Sequence, residues 1–340
     1  MKILFDVNHA GHVHFIKNAF WALTEEGYDC LITASDKPLV YELLKENNLP
    51  YYPMGPIGKS LISKFFRLFL HDIKLLLYCI SHRPQLILGI VAIRGSHVGW
   101  ILGIKSIVFT DSEHARKQIA LFQPFANEIQ TPKWFHNDLG KKQVRYQGFH
   151  ELAYLHPNNF TPNDKVLSKL GVQKNQPFYI IRFVSWDATH DINQSGIDLK
   201  GKRDIIQLLS KKGKVFITSE YELEQEFKHL ELDIPFTLLH DAMFYASMVV
   251  SEGATTACEA AILGIPTIYI NSISLGYITY LEADFDLIYH FKTQDKVVEK
   301  IEQLLDNPNL REEWSKKKEH FISTQNDTSE YIVSLVKNSE

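Results

Sequence analysis

Three histidines stand close together in the stretch VNHAGHVHF, residues 7–15. Neutral imidazoles are common metal ligands, so His9, His12 and His14 raise the question of a metal site. No obvious carboxylate or thiol ligand lies next to them, and we therefore predict that no metal is bound. The stretch follows a predicted strand and begins a helix, which is where ligand crevices form in open α/β sheets. We predict that His12 is a catalytic base at this crevice and that Gly11 and His14 contact a ligand there.

A second group of titratable residues occurs in VFTDSEHA, directly after another predicted strand. Asp111 or Glu113 could position an acceptor hydroxyl or take part in proton transfer, and His114 lies beside them. Helix capping by Asp111 or Ser112 explains the same residues equally well. We assign Asp111 and Glu113 as candidate catalytic residues and His114 as a candidate for acceptor contact.

A third stretch, IRFVSWDATHD at residues 181–191, leaves a predicted strand in the second half of the chain. The guanidinium of Arg182 matches phosphate oxygens, and Ser185 follows in the loop. The alternative for Arg182 is an ion pair with an acid at the edge of the sheet. His190 and Asp191 could form an oriented acid–base pair, in which His190 would contact a ligand, or they could belong to a plain surface turn.

The most informative segment is SMVVSEGATTACEAAILGIPTIYINS, residues 247–272. We expect a strand that ends at Ser251, a turn through Gly253 and Ala254, and a helix that starts at Thr255 or Thr256. Free N–H groups and the positive end of the helix dipole would then face an anion. Glu259 lies about one turn into the helix, where it could accept bonds from ribose hydroxyls. The alternative is a capped turn with a solvated Glu259.

The spacing G-A-x-T-x-x-E-x(4)-G-x-P in this segment resembles the nucleotide-sugar loop of GT-B glycosyltransferases, especially the N-acetylglucosaminyltransferase that makes lipid II. It is also similar to the loop of the non-hydrolysing UDP-N-acetylglucosamine 2-epimerases. The resemblance implies that the backbone from Gly253 to Thr256 binds a diphosphate and that Glu259 binds ribose. Glu252 departs from the pattern, because a serine is more usual there. The matching residues are Gly253, Ala254, Thr256, Glu259, Gly264 and Pro266.

The whole chain resembles a bacterial and archaeal family of GT-B-like proteins of unknown function. The matching motifs are HVHF at 12–15, TD-x-E-H at 110–114, R-x-V-S-W-x-A-x-H-D at 182–191 and ITSE at 217–220. This resemblance implies the GT-B fold over nearly the full length. It also adds Glu220 to the candidate nucleotide-sugar-binding residues.

The elements that must position these residues alternate between short aliphatic runs and longer amphipathic ones, as in KILFDV followed by HFIKNAFWALTEEG. Such alternation predicts parallel sheets covered by helices. The fold class is therefore α/β, with two Rossmann-like doubly wound parallel-sheet domains facing a cleft. We predict an N-terminal acceptor domain at 1–150, a linker at 151–164, a nucleotide-sugar-binding domain at 165–325 and a last helix at 326–340 that packs back on the first domain.

The composition of the 340 residues, with 45% hydrophobic and 22% charged, is that of an ordinary globular protein. Neither a membrane span nor a signal peptide is evident, and the three cysteines form no C-x-x-C pair, so we expect a cytoplasmic protein with reduced thiols. The first half is mildly basic, but no nucleic-acid-binding motif accompanies the charge. We expect no cofactor besides the nucleotide-sugar substrate.

Residues 57–83, IGKSLISKFFRLFLHDIKLLLYCISHR, form a long helical candidate with lysines, an arginine and a wide apolar stripe. Such a helix can lie in a membrane interface and attract anionic lipids, which would suit a lipid-linked acceptor at the inner face of the cell membrane. We favour a core helix with solvated lysines. The predicted stripe is Leu61, Phe65, Phe69, Ile73, Leu76, Leu77 and Ile80.

These features predict a glycosyltransferase that moves a sugar from a nucleotide diphosphate donor, with UDP favoured, to a carbohydrate or lipid-linked acceptor in cell-surface polysaccharide or glycolipid synthesis. A UDP-sugar 2-epimerase is the first alternative. The epimerases' T-E-R-P-E run is absent, and NSISLGYITYLEAD at 271–284 stands in its place. A non-catalytic nucleotide-sugar-binding protein is the second alternative.

Overall fold

The computed structural model describes residues 1–58, 60–185 and 196–339, which form two units. Unit 1 contains residues 1–159 and 325–340, and unit 2 contains residues 160–324. Both are built on a parallel sheet with helices, which confirms the predicted α/β class with two Rossmann-like domains.

Unit 1 holds a seven-stranded sheet in the order β3-β2-β1-β4-β5-β6-β7. Its strands are β1 Lys2–Val7, β2 Asp29–Asp36, β3 Tyr52–Pro56, β4 Leu86–Ile90, β5 Lys105–Phe109, β6 Glu128–Pro132 and β7 Gln143–Tyr146. Its helices are α1 Ala10–Glu25, α2 Val40–Glu46, α3 Leu61–His82, α4 Ile93–Leu102, α5 Arg116–Phe122, α6 Leu152–Leu155 and, from the end of the chain, α14 Thr328–Lys337.

Unit 2 holds a five-stranded sheet in the order β12-β11-β10-β8-β9. Its strands are β8 Phe178–Phe183, β9 Lys214–Ser219, β10 Met248–Ser251, β11 Thr267–Ile270 and β12 Ile288–Phe291. Its helices are α7 Lys165–Lys169, α8 Leu199–Ser210, α9 Leu239–Tyr245, α10 Ala254–Ile262, α11 Gly276–Ala283, α12 Val297–Leu305 and α13 Leu310–Thr324.

The central strands are buried on both faces, because helices cover both sides of a parallel sheet. All five residues of β4, LILGI, are buried, and all four of β10, MVVS. Helix α1 ends at Glu25, and Gly27 follows in the left-handed region at φ 89°, a conformation that glycine adopts without strain.

The two sheets fix where ligands can approach. In unit 1 the strand order reverses between β1 and β4, and in unit 2 it reverses between β8 and β10. Crevices open at the carboxyl ends of strands at such reversal points. The loop after β1 contains His9, and the loop after β10 contains Gly253, so both candidate loops lie at reversal points.

The stretch predicted as a linker, 151–164, begins with α6, whose four residues are buried in unit 1. Helix α14 also belongs to unit 1, where it packs against α1 and α6. Its N-cap, Asp327, accepts bonds from the N–H groups of Ser329 and Glu330 and from the side-chain amides of Asn158 and Asn159.

Helix α3 packs on the core, but most of the described part of its predicted stripe faces away from it. Phe69, Ile73, Leu77 and Ile80 are exposed, and Leu76 is the described member of the stripe that packs against the core. Among the described side chains of α3, those that are buried are His71, Leu75 and Cys79. No helix in residues 1–58, 60–185 or 196–339 combines the length and apolar composition that a membrane crossing requires.

Candidate functional site

The phosphate-loop candidate in unit 2 lies between two adjacent strands. In the ladder of β8 and β10, Arg182 stands opposite Ser251, and the N–H of Glu252 donates to the carbonyl of Arg182 over 2.9 Å. A Cβ placed on Gly253 would lie 3.1 Å from Val184 Cγ1 and 3.7 Å from Arg182 Cγ. The Arg182 side chain therefore runs directly past the glycine of the loop.

Helix α10 begins at Ala254, one or two residues before the predicted start. Its N-cap is Gly253, which supplies no side-chain acceptor, and the Ser251 hydroxyl donates back to the Gly253 carbonyl over 2.8 Å. Thr255 is exposed and Thr256 half-buried in the first turn. The N–H groups of that turn, which have no intrahelical acceptor, supply donors for an anion.

Arg182, Ser185 and Glu220 meet at the ends of β8 and β9, as a shared site requires. One Glu220 oxygen accepts from Arg182 Nη2 over 2.8 Å, and the other accepts from the Ser185 N–H over 3.3 Å. Arg182 therefore forms an ion pair with an acid at the edge of the sheet, which was the alternative to phosphate binding that the sequence left open. The pair is partly exposed, with 24% of the Arg182 and 46% of the Glu220 side chain accessible, so an incoming anion could compete for the guanidinium.

Glu259 is buried rather than solvated, with 7% exposure, so the solvated alternative is wrong. Its Oε1 lies 3.0 Å from His240 Nε2, and His240 is 8% exposed. Sequence reasoning missed His240, because its helix α9 precedes β10 and carries no motif. The carboxylate is thus fixed in one orientation within the fold.

Glu252, which departs from the glycosyltransferase pattern, has a structural partner set. It is 1% exposed, and its two carboxylate oxygens accept from the N–H groups of Val184, over 3.1 Å, and Ile197, over 2.7 Å. A buried carboxylate is tolerated when backbone donors satisfy it. Glu252 therefore ties the end of β8 to the start of α8.

A cavity of about 270 Å³ lies beside Glu252 and Ser185 in unit 2. Lys202 lines it and donates to Tyr221 Oη over 2.6 Å and to Glu224 Oε1 over 2.8 Å. Burial alone would lower the pKa of Lys202, but the hydrogen bonds to Glu224 and Tyr221 raise it, so the ammonium stays charged. His190 lies outside the described residues.

In unit 1 the three histidines of the opening motif serve different purposes. His9 is the N-cap of α1, where its Nδ1 accepts from the Gly11 N–H over 3.2 Å. His12 is half-buried, and its Nδ1 accepts from the Asn8 N–H over 3.3 Å. His14 is buried, with its ring 5.2 Å from that of Tyr154. Within 1–58, 60–185 and 196–339, no three His, Cys, Asp or Glu side chains are grouped to share a metal ion.

Asp111 forms an ion pair in unit 1 with His150, a residue that the sequence did not predict. Its Oδ2 lies 3.1 Å from His150 Nδ1, and its Oδ1 accepts from the Ser112 hydroxyl over 2.9 Å. Burial alone would raise the pKa of Asp111, but the charge and hydrogen bond of His150 lower it to about 2. Burial would lower the pKa of His150, yet Asp111 raises it. The pair is therefore carboxylate and imidazolium below the raised pKa of His150.

His12 differs from His150 in charge. Burial lowers its pKa well below the ordinary value of 6.5, and the positive charges of His9, Lys37 and His150 lower it further. Asp111 acts in the opposite direction with the smallest of these effects. His12 is therefore a neutral imidazole at neutral pH, the form in which histidine accepts a proton.

The remaining candidates of unit 1 lie near this group but in other roles. Glu113 Oε1 accepts from the N–H of His136 over 2.8 Å, which holds the loop after β6. His114 is exposed, and Gly11 lies in the first turn of α1. The structure thus couples His12 electrostatically with Asp111, whereas Glu113 points to a neighbouring loop.

A buried polar cluster at the reversal point of unit 1 was also not predicted from the sequence. Arg94, 2% exposed, donates from Nε to Asp6 Oδ1 over 2.8 Å and from Nη1 to Ser35 Oγ over 2.7 Å. Burial and then Arg94 lower the pKa of the adjacent His71 to about 4. The only sequence signal was an arginine in the first turn of α4, between two apolar stretches. The cluster fixes the ends of β1 and β2 beside the His12 loop.

Comparison with known sequences identifies the family of this chain and one relative. Residues 1–339 match the model of the family described as "Protein of unknown function (DUF354)". The chain belongs to this family. It is also 25% identical over 282 residues to the uncharacterized protein MJ0665 of Methanocaldococcus jannaschii, which covers 79% of this chain and 81% of that protein.

Solved structures similar to this family member have the GT-B architecture. The UDP-GlcNAc 2-epimerase of Neisseria meningitidis, bound to UDP-GlcNAc, matches with TM-score 0.70 and 12% identity over 99% of this chain and 100% of that one. The spinosyn rhamnosyltransferase SpnG, complexed with thymidine diphosphate, matches with TM-score 0.64 and 14% identity over 98% and 100%. At these identities the likeness establishes a shared fold alone, and it confirms the predicted GT-B-like fold.

Proposed function

We propose that this protein is a GT-B-type glycosyltransferase that moves a hexose or N-acetylhexosamine from a UDP-sugar to an acceptor hydroxyl. The observation that carries the proposal is the loop at the reversal point of unit 2. There, Arg182 runs past Gly253, and α10 presents the N–H groups of its first turn. Proteins of the same fold have been solved with UDP-GlcNAc and with thymidine diphosphate, which supports a nucleotide diphosphate as the ligand.

The departing diphosphate carries the negative charge that this loop would stabilise. In the proposal Arg182 exchanges the Glu220 carboxylate for phosphate oxygens, and the N–H groups from Gly253 to Thr256 donate to the same group. Glu259, held by His240, would accept bonds from ribose hydroxyls. Ser185, Ser251, Ala254 and Thr255 would complete the donor site.

In unit 1 the neutral imidazole of His12 would take the proton from the acceptor hydroxyl. The acceptor oxygen then forms a bond with the anomeric carbon while the bond from that carbon to the diphosphate breaks. Asp111 would position the hydroxyl, with His150 fixing its carboxylate, and Glu113, His114, Gly11 and His14 would frame the acceptor. The proposal requires neither a metal nor a cofactor.

A 2-epimerase is the second candidate. Epimerisation at C2 needs an acid and a base, and unit 1 contains a neutral His12 and a His150 whose pKa is raised by Asp111. The epimerase of Neisseria meningitidis shares the fold at a TM-score of 0.70. Either reaction would use the same nucleotide site in unit 2.

For the acceptor, we propose a carbohydrate or lipid-linked hydroxyl in cell-surface polysaccharide or glycolipid synthesis. The protein would act in the cytoplasm at the inner face of the membrane, with peripheral contact through residues 57–83. The exposed apolar side chains of α3 support this contact.

The test is to incubate the full chain with UDP-N-acetylglucosamine and UDP-glucose, with and without a panel of lipid-linked and soluble glycan acceptors, and to follow the products by NMR. Transfer predicts UDP release that depends on the acceptor and is lost in His12→Asn. Inversion at C2 without UDP release would replace the transferase by the epimerase. No turnover of any donor, with UDP still bound, would reduce the function to nucleotide-sugar binding.

A further inference from the structure

Most of the large apolar side chains that are exposed in the described chain lie on three consecutive helices of unit 1, which we name the α3–α5 surface. Elsewhere in the described residues such side chains are scattered, as Trp21 and Leu199 are. Scattered apolar residues need no explanation, whereas a patch of them marks an interaction site. The α3–α5 surface consists of Phe66, Phe69, Leu70, Ile73, Leu77, Ile80, Trp100, Ile101 and Leu121.

Helix α3 has two apolar faces, and only one of them is used by the fold. Its inner face contributes Leu75 and Cys79, which pack with Leu4 of β1 in the core. Its outer apolar residues recur at intervals of three and four and so form one stripe. Phe66 is 65% exposed at one end of the stripe, and Leu77 is 62% exposed further along.

His97 joins this stripe to the other two helices. Its Nδ1 lies 2.9 Å from Asp72 Oδ2 on α3, and its Nε2 lies 3.0 Å from the Leu121 carbonyl on α5. Trp100 and Ile101 follow three and four residues later on the same face of α4, exposed by 65% and 56%. The three helices that carry the exposed apolar side chains therefore pack side by side, α3 against α4 and α4 against α5.

The charge on this surface is of one sign. Across α3, α4 and α5 the sequence contains a single acid, Asp72, and it is bonded to His97. Lys64, Arg67 and the pair Arg116–Lys117 are exposed on the same helices. A second copy docked through the same surface would bring like charges together, whereas a bilayer of anionic lipids offers both the apolar interior and the opposite charge.

We infer that the α3–α5 surface docks on an anionic lipid bilayer, with Trp100 and the outer residues of α3 inserted into the interface and the basic residues on the headgroups. The inference rests on the membrane contact within the proposed function, but not on the reaction. It extends the contact from one helix to a surface built by three.

The experiment is co-sedimentation of the full chain with vesicles of phosphatidylcholine, with and without phosphatidylglycerol. The apolar test variant is Phe69→Ser with Leu77→Ser, and the charge variant is Arg67→Glu. Leu199→Ser, on an exposed residue of unit 2, is the matched control. All changed residues are exposed, so the fold is expected to persist, and the urea unfolding curve of each variant provides the check.

We expect the parent to bind vesicles containing phosphatidylglycerol, more weakly at high salt. The double variant should bind on the order of tenfold more weakly or worse, because apolar groups inserted into the interface each add to affinity. Arg67→Glu should lose affinity only for the anionic vesicles, and Leu199→Ser should bind as the parent does. If UDP binding fails while these results hold, the reaction proposed above fails and the surface stands.

Absence of vesicle binding by the parent, or equal binding by the double variant, would overturn the inference. A parent that sediments as a dimer in solution, with a monomeric double variant and no difference on vesicles, would also overturn it. That result would assign the surface to a second copy of the chain.

Discussion

Replacing Asp111 by Asn tests whether the ion pair with His150 is a charged, buried interaction. The substitution keeps the size of the side chain and removes its charge. The atoms joined are Asp111 Oδ2 and His150 Nδ1, 3.1 Å apart, and the two side chains are 19% and 8% exposed. Because the pair is largely withdrawn from water, its loss is not compensated by solvent as at the surface.

The size of the effect follows from the pKa of the carboxyl. Burial would raise it, but His150 and then Ser112 lower it from 3.8 to about 2, and one pKa unit corresponds to about 1.4 kcal/mol. The folded state therefore favours the charged Asp111 by on the order of 2 kcal/mol. We expect Asp111→Asn to lower the free energy of unfolding by about that amount at pH 6.

The pH dependence has a defined direction. The folded pKa of Asp111 lies below its unfolded value, so its contribution is full above about pH 4 and lost as the pH falls toward 2. The folded pKa of His150 lies above its unfolded value of about 6.5, so its contribution is full below that pH and lost as the pH rises through the folded pKa. The difference between parent and variant should therefore be largest between about pH 4 and 6.5.

Urea denaturation at a series of pH values, followed by tryptophan fluorescence, measures this difference. Glu26→Gln is the control, because it removes an exposed pair with Lys337 and should cost less than about 1 kcal/mol. A loss below about 0.5 kcal/mol at pH 6 in Asp111→Asn, or a loss that does not change between pH 6 and 9, would refute the reasoning.

Three further substitutions address the other groups. His12→Asn should abolish turnover and spare UDP binding. In the parent, kcat/KM should stay level as the pH falls through 6.5, because the pKa of His12 lies well below that value. A drop in kcat/KM centred at pH 6.5 would contradict this. Arg182→Ala should weaken the binding of UDP on the order of tenfold and leave the binding of uridine unchanged, both measured by calorimetry, since only UDP has phosphates that the guanidinium can contact. An equal loss of affinity for UDP and for uridine would exclude a phosphate contact. Arg94→Met should lower the free energy of unfolding by about 3 to 5 kcal/mol in urea, because it leaves Asp6 buried and unpaired; a neutral result would show that water replaces the guanidinium.

The sequence predicted the central strands of both sheets and the edge strand β9, KVFITS, and missed the other edges. KILFDV and FYIIRFV are apolar runs because helices cover both faces of those strands. The missed strands β3, β7 and β12 lie at sheet edges. Edge strands are short and interrupted. In β3, YPMGP, prolines and a glycine interrupt the strand, so it carries no continuous apolar pattern.

Helix α3 was predictable as a helix but not in its orientation. Its sequence has apolar residues on more than one face, and periodicity does not tell which face meets the sheet. In the folded chain, Leu75 and Cys79 are buried in the core, whereas Ile73 and Leu77 are exposed to solvent.

Site residues at strand ends could be predicted, whereas their partners could not. Arg182 and Gly253 meet because β8 and β10 are adjacent, and both follow recognisable strands. His150 and His240 lie in segments without motifs, far in sequence from Asp111 and Glu259. Only the folded chain brings each histidine to its carboxylate.

The proposed function depends first on binding of a nucleotide diphosphate sugar by unit 2, at the loop between β10 and α10. Isothermal titration calorimetry of the full chain with UDP-N-acetylglucosamine, UDP and uridine measures this binding. We expect saturable binding of UDP and of its sugar, weakened by Arg182→Ala, and much weaker binding of uridine. If no nucleotide diphosphate binds, or if Arg182→Ala leaves UDP binding unchanged, the loop is not the nucleotide site.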